Sequence, residues 1–220
     1  MVDVRDLIRR VARFPYSVLI EGETGTGKEL VARALHGESL RRGGPFVPVN
    51  CAAIPESLAE SHLFGHEAGA FSGTRGRHRG VIEQAHGGTL FLDEVAELSL
   101  SMQPKLLRSI QEREVVRVGS EAAARPVQLD IRLVAASHQD LFAGCQTGRF
   151  REDLYYRLCE YRLGIPPLRA RDRDVLELSR HFLRIGDGLG VRLGRDAQQL
   201  LLTYRWPGNV RELRAVLLAA

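Results

Sequence analysis

Residues 17–33 read Ser-Val-Leu-Ile-Glu-Gly-Glu-Thr-Gly-Thr-Gly-Lys-Glu-Leu-Val-Ala-Arg. The apolar run Val18, Leu19, Ile20 reads as a short buried strand, and Leu30, Val31, Ala34 and Leu35 repeat with the spacing of one helix face. Between them lie Gly22, Glu23, Thr24, Gly25, Thr26, Gly27 and Lys28, a G-x-x-x-x-G-K pattern. Strand, glycine loop and helix in that order turn a string match into a phosphate site. Glycines let successive backbone N–H groups curl round an oxyanion, and the helix N-terminus adds a positive dipole end. Lys28 supplies a mobile point charge for the outer phosphates. The rival reading is a glycine-rich turn before an ordinary helix, which explains neither the lysine nor both flanks. Glu29 stands where the pattern usually has Ser or Thr to ligate Mg²⁺. The metal must then find oxygen ligands elsewhere in the chain.

The remaining pattern alternates. A helix over Val4–Ala12 precedes the first strand, a strand follows at 45–50, and Pro55 opens a helix running to about His62. From Gly65 to Gly80 the chain is rich in Gly, His and Arg with one large apolar residue, Phe71, and reads as an exposed excursion. A helix over 81–85, a strand over 89–92 and a helix carrying Leu106, Leu107 and Ile110 come next. Strands over 115–118 and 129–135, a helix over 150–158 and a strand over 161–165 follow, and Pro166-Pro167 marks a boundary. Helices are expected beyond it at about 172–185, 195–204 and 208–218. Alternation of this kind implies a mostly parallel sheet covered by helices, an α/β fold. The expected division is an α/β nucleotide-binding domain over 1–167 and a small helical lid over 168–220.

Composition narrows the class. At 44% hydrophobic and 26% charged, the chain matches globular domains, and no apolar run is long enough for a bilayer. The three cysteines, Cys51, Cys145 and Cys159, never form a C-x-x-C pair. With no basic-then-apolar leader at the start, they fit a cytoplasmic setting. A net charge of +4 spread along the sequence is a weak signal for nucleic acid, and no DNA-binding element is expected here. Lys28 and Lys105 are the only lysines among many arginines, so the glycine loop keeps a lysine where the chain otherwise prefers arginine.

Ligands of open α/β sheets sit beyond the carboxyl ends of the strands. Asp93 and Glu94 follow the apolar run Thr89-Leu90-Phe91-Leu92. Adjacent residues at a strand end point in different directions, so the two carboxylates can divide the work. Asp93 would hold Mg²⁺ largely through water, and Glu94 would orient and deprotonate an attacking water. Phe71, an aromatic among glycines with no core to join, suits contact with a partner. His62 and His66 lie four apart, but no third ligand follows at zinc-site spacing.

Taken together these segments closely resemble the AAA+ ATPase domain of sigma-54-dependent transcriptional activators, over nearly the whole chain. Gly22–Glu29 resembles the family's Walker A, in which Glu is the usual residue at the position of Glu29. Gly88–Glu94 resembles Walker B. Glu60–Thr74 resembles the stretch ending in the GAFTGA loop, which here reads Gly69, Ala70, Phe71, Ser72, Gly73, Thr74. Phe150–Leu158 resembles the arginine-finger segment, and Trp206–Leu213 the sensor II signature of the lid. The resemblance implies a P-loop NTPase fold with ATP and Mg²⁺ bound between subunits of a ring, a hexamer. Arg151 and Arg157 are implied as fingers reaching a neighbour's ATP, and Arg211 as sensor II. Ser137 and His138 fall at sensor I, and Asn50 at the residue restraining the catalytic glutamate. Gly69–Thr74 is implied to touch sigma-54 and its RNA polymerase holoenzyme, and hydrolysis to remodel the closed complex at a promoter.

Two departures bear on this. Ser72 stands for the family's threonine and Thr74 for its final alanine. They motivate a second expectation, an ATP-binding regulator of the same fold that does not engage sigma-54. Relative to the family the chain is also short at both ends, with an incomplete lid and neither sensing nor helix-turn-helix domain. A third expectation is therefore a nucleotide-binding interaction module that does not form rings.

Overall fold

A computed structural model describes residues 4–70, 76–120, 125–171, 174–186 and 193–219. The chain divides into two compact units. The first contains the chain through Glu21 together with Glu29–Leu163, and the second contains Gly22–Lys28 together with the chain from Gly164 onward.

Strands of the first unit are β1 (Val18–Glu21), β2 (Phe46–Asn50), β3 (Gly65–His66), β4 (His78–Arg79), β5 (Thr89–Asp93), β6 (Glu114–Val115), β7 (Val127–Gln128), β8 (Arg132–Ser137) and β9 (Tyr161–Gly164). Its helices are α1 (Val4–Ala12), α2 (Lys28–Gly37), α3 (Glu56–Phe64), α4 (Val81–Gln84), α5 (Met102–Glu112), α6 (Leu141–Gln146) and α7 (Glu152–Leu158). Five strands form one sheet in the order β2-β5-β8-β1-β9, and the β2–β5, β5–β8 and β8–β1 pairs are parallel. The expected helix-flanked parallel sheet is therefore present.

Strand alternation divides the core. Leu19, Leu90, Leu92, Leu133 and Ala135 pack in one cluster with Leu63 of α3, Ile82 of α4, Leu106 of α5 and Leu154 of α7. The opposite face carries the buried Val18, Ile20, Phe91, Val134 and Ala136. There the rings of His36, Phe46 and Phe91 stand in sequence at centroid separations of 5.4 and 5.9 Å, which brings α2 onto that face. Arg132, almost fully buried at the start of β8, donates to the carbonyls of Val11, Ala12 and Leu35 and so joins the ends of α1 and α2.

Several expected boundaries move. The core strand expected over 129–135 begins at Arg132 rather than Leu129, because Leu129 still donates its N–H to Arg113 at the mouth of a separate ribbon. Among the described residues Glu114 pairs with Gln128 and Val115 with Val127, so the strand expected at 115–118 is shorter and begins one residue earlier, at Glu114–Val115. The helix expected from Phe150 starts at Glu152, since Arg151 is extended and its N–H is taken by the Gln103 side chain. Helix α6 was not expected. Asp140 caps it by accepting from the Ala143 N–H, a local signal hidden by Gly144 within it. The 65–80 excursion has a structured base, where β3 and β4 pair antiparallel and His66 bridges Val118.

The second unit has α8 (Asp174–Gly186), α9 (Arg195–Thr203) and α10 (Asn209–Ala219) around Leu168, Val175, Leu176, Leu201, Trp206 and Leu213. Trp206 donates its indole N–H to the Leu201 carbonyl, which allows an otherwise apolar ring to be buried with its polar edge paired. Among the described residues no helix is long and apolar enough to cross a membrane.

Candidate functional site

The parallel register aligns the carboxyl ends of the central strands. Asn50 pairs with Asp93, Leu92 with Ala135, and Glu21 with Ser137. Asn50, Asp93, Glu94, Ser137 and His138 therefore share one edge of the sheet, and the residue after Glu21 opens the glycine loop.

At this edge Glu94 adopts a left-handed backbone, φ 51° and ψ 49°. A non-glycine residue there stores strain of a kind common at functional positions. Its N–H donates to Asp93 Oδ1 at 3.1 Å. One oxygen of its carboxylate meets His138 twice, from the ring Nδ1 at 2.6 Å and from the backbone N–H at 3.3 Å. An ionised carboxylate only accepts, so Nδ1 carries a proton in this pairing. Ser137 is fully buried, and its hydroxyl donates to the Gln139 carbonyl while accepting the Gln139 N–H. Ser137 thus shapes the turn that presents His138. The Asn50 side-chain oxygen accepts from the Ala52 N–H at 3.0 Å and caps a short 3₁₀ turn. Burial, together with the nearby Asp93 and Glu94 charges, pushes the Cys51 thiol up to about 12, a sign of negative potential at this edge.

The glycine loop belongs to the second unit. Gly25 and Gly27 have φ of +80° and +98°, which glycine adopts without penalty. Lys28 is only 6% exposed, and its Nζ donates to the Gly22 carbonyl at 3.0 Å. Glu23 is gripped by both guanidinium nitrogens of Arg169 at 2.5 and 2.8 Å and by Asn209 Nδ2 at 3.1 Å. The Arg169 bonds, and then the Asn209 bond, hold its carboxyl down at about 2. Arg211 lies in the first turn of α10, exposed, with its Cβ 3.1 Å from where a Cβ on Gly25 would stand. Glu29 pairs on the surface with Arg33, one turn along α2.

The two finger candidates are placed differently. Arg151 stands just before α7 and pairs with Asp153 on the surface. Arg157, in the last turn of α7, meets Glu160 at 3.2 Å, and Glu160 in turn accepts the Ser17 N–H. Ser17 precedes β1, so Arg157 lies toward the amino edge of the sheet, opposite Asp93 and Glu94 of its own chain.

Of the expected partner loop, Gly69 and Ala70 are exposed or half-buried, while Phe71, Ser72, Gly73 and Thr74 lie outside the described residues. The base of that loop carries a feature not anticipated from sequence. Arg117, 7% exposed, donates to Glu67 at 2.7 Å and to Glu83 at 2.7 and 3.0 Å. A scattered arginine gives no sequence signal of this kind. Asn209, Arg169 and Arg171 were likewise missed.

Each unit's residues fit part of a magnesium nucleotide taken by itself. In the second unit a buried lysine and a loop whose carbonyls are already paired leave N–H groups for phosphate oxygens. In the first unit the carboxylates at the strand ends are hard oxygen donors of the kind a hard cation takes.

Comparison with known proteins agrees with this chemistry. A family model described as the Sigma-54 interaction domain matches residues 1–164, and one described as the AAA+ ATPase lid domain matches residues 169–220. The Sigma54-dependent transcriptional activator SfnR of Pseudomonas putida is 53% identical over 214 residues, covering 96% of this chain and 58% of that protein. The DNA-binding transcriptional regulator NtrC of Azospirillum brasilense is 51% identical over 216 residues, 97% of this chain and 44% of that protein. The chain thus spans about half the length of the curated relatives it matches. Among solved structures, NtrX from Brucella abortus in complex with ATP superposes with a TM-score of 0.87 at 39% identity, covering 97% of this chain and 49% of that one. The same protein in complex with ADP gives 0.88 at 39% identity, covering 98% and 48%. With a family model spanning nearly three quarters of its length and the lid model following, the chain belongs to the sigma-54 interaction domain family, in the AAA+ class of nucleotide-binding folds.

Proposed function

We propose that this chain is the ATP-hydrolysing domain of a sigma-54-dependent transcriptional activator, working in a ring whose sites are shared between subunits. The observation that carries the reading is the strained Glu94, aligned by strand register with Asp93 and Ser137, on a chain whose glycine loop leaves the same edge. In this reading the loop N–H groups and Lys28 bind the phosphates. Asp93 would hold Mg²⁺ through water, and the ion would supply charge neutralisation for the phosphates when bound. Glu94 orients a water molecule and accepts its proton at a carboxylate oxygen, and His138 sets the direction of that carboxylate. Arg211 reports the nucleotide to the lid. Arg151 and Arg157 serve a neighbouring subunit, which agrees with Arg157 lying toward the opposite edge of its own sheet. A finger arginine is worth roughly 10³–10⁵ in rate. Gly69–Thr74 then carries the work to sigma-54 and its polymerase.

The experiment is Mg²⁺-dependent ATPase activity measured against protein concentration, for the wild type and Glu94→Gln. Shared sites make specific activity rise with concentration, and Glu94→Gln should keep ATP affinity while turnover falls by about 10²-fold or more. Glu94→Gln turning over at the wild-type rate would remove Glu94 as the base. Specific activity independent of concentration, with a monomer at every loading, would favour the interaction module. The Ser72 and Thr74 substitutions favour one second reading, a regulator of the same fold that does not engage sigma-54. Capture of sigma-54 by the chain trapped with a transition-state analogue would exclude it.

A further inference from the structure

Five successive carbonyls of the glycine loop each have a donor. Gly22 O accepts from Lys28 Nζ, and Glu23 O accepts from the Thr26 N–H and hydroxyl. Thr24 O accepts from Asn209 Nδ2 at 3.0 Å, Gly25 O from the Val210 N–H at 3.0 Å, and Thr26 O from Arg171 Nη2 at 2.9 Å. The last three donors come from the helical part of the second unit. In a trans peptide the C=O and N–H point in opposite directions. A donor that draws a carbonyl outward therefore turns the adjoining N–H inward, and a run of inward N–H groups is what binds an oxyanion.

Asn209 is the most constrained of the three. It is fully buried with φ 53°, in the left-handed region that Asn tolerates better than most residues. Its N–H donates to Trp206 O at 2.8 Å. Its amide nitrogen spends one hydrogen on Thr24 O and the other on Glu23, while its amide oxygen accepts the Leu168 N–H at 2.8 Å. Every polar atom of the side chain is engaged, and the Leu168 donor fixes which end is oxygen. Arg171 donates Nη2 to Thr26 O and Nε to Pro166 O.

We propose that Asn209 and Arg171 are positioning residues for nucleotide binding: by occupying the carbonyls of Thr24 and Thr26 they give the phosphate loop its anion-binding shape, so polyphosphate affinity depends on lid side chains that donate to the loop. The proposal rests on the phosphate reading of the loop given above, and the two fail differently. Binding of ADP and of inorganic pyrophosphate is measured by calorimetry for the whole chain and for Asn209→Asp, Asn209→Gly, Arg171→Met, Lys28→Ala and Asn209→Asp combined with Glu23→Gln. Asn209→Asp keeps the shape, the left-handed tolerance and the acceptor for Leu168, but replaces both donors with an acceptor facing Glu23. It should weaken both ligands about tenfold or more, Asn209→Gly and Arg171→Met several-fold. Adding Glu23→Gln should recover at least threefold by removing the carboxylate–carboxylate clash. Pyrophosphate carries no base, so its loss separates a loop effect from a lid contact to adenine. The KM for ATP should rise more than kcat falls. Folding is followed by the cooperative melt. If Asn209→Asp does not fold, Arg171→Met and Asn209→Gly decide by the same measure. Folded variants that bind pyrophosphate within twofold of wild type, while Lys28→Ala loses it, overturn the proposal alone. Unchanged binding by Lys28→Ala as well overturns the phosphate reading beneath it.

Discussion

Gly25→Ala separates two reasons for a glycine at one position. Gly25 and Gly87 have nearly the same backbone, φ +80° and +78°. A Cβ on Gly87 would meet nothing within 4 Å, whereas one on Gly25 would stand 2.3 Å from Gly208 O and 3.1 Å from Arg211 Cβ. Alanine in the left-handed region costs about 1 kcal/mol, and that is the whole expected effect of Gly87→Ala. At Gly25 the backbone must also move apart, an overpacking cost of about 1–3 kcal/mol. The movement further strains the bond from the Val210 N–H to Gly25 O. Gly25→Ala should therefore destabilise the second unit by about 2–4 kcal/mol. Trp206 is the only tryptophan and is buried in that unit, so its emission during urea unfolding reports there directly. Gly194→Ala, with open space around its Cβ and no positive φ, is the control: it alters only the N-cap of α9, where Gly is preferred to Ala, and should cost no more than about 1 kcal/mol. Gly87→Ala is followed by far-ultraviolet circular dichroism, since it lies in the first unit. If Gly25→Ala costs no more than Gly87→Ala, the close approach of loop and α10 contributes nothing, and the reasoning fails.

Two further predictions concern charge. Arg117→Met removes the cation from between Glu67 and Glu83, leaving Glu83, with its side chain only 10% exposed, without its two bonds from Arg117 but still facing Arg79 Nε at 3.3 Å. Breaking a buried pair from one side costs about 3 kcal/mol when the remaining charge is uncompensated, and the exposed Arg79 brings the expected cost to about 1–3 kcal/mol. Urea unfolding by circular dichroism should show a loss of that order, and a change under 1 kcal/mol would mean the pair is effectively solvated. Burial opposes the charged Arg117, yet the bonds to Glu67 and Glu83 win and raise its pKa, which agrees with a net favourable pairing. Glu23 is depressed from 4.5 to about 2. A carboxylate lowered on folding contributes stability above its unfolded value and loses it as pH falls through the folded one. The second unit should therefore lose stability between about pH 4.5 and 2, and Glu23→Gln should make that limb shallower in an acid titration followed by Trp206 emission. An acid limb identical in the variant would count against the Arg169–Asn209 grip.

The glycine loop and the Asp93-Glu94 strand end were legible in the sequence because each is a local pattern of spacing and residue type, whereas the lid signature was read through the family resemblance alone. The parallel sheet followed from the alternation of apolar runs with helical ones. What escaped reading depends on contacts between distant residues. Leu129 looks like a strand residue, but its N–H goes to Arg113, which no local pattern encodes. Arg117 resembles any surface arginine until Glu67 and Glu83 close on it from 50 and 34 residues away. Asn209 sat within a motif whose arginine drew the attention, and its work lies with Glu23 and Thr24, 186 and 185 residues away.

The same non-local logic bears on the candidate base. Glu94 is held from two strands at once. Its backbone strain and its N–H bond to Asp93 belong to the end of β5, while the two donors on its carboxylate belong to His138 at the end of β8. Ser137 locks that second end by exchanging hydrogen bonds with Gln139, and the Gln139 side chain donates to Glu97, just beyond Glu94 in the chain. The contacts form a closed circuit: β5, Glu94, His138, Ser137, Gln139, Glu97 and back to β5. Any motion that re-aims the Glu94 carboxylate breaks at least one of those two bonds. The ring bond at 2.6 Å can rotate away on the exposed His138 side chain, whereas the backbone N–H is tied to the Ser137–Gln139 turn. His138 is thus the adjustable member of the circuit and Ser137 the fixed one, a division of labour that their adjacency in sequence does not disclose.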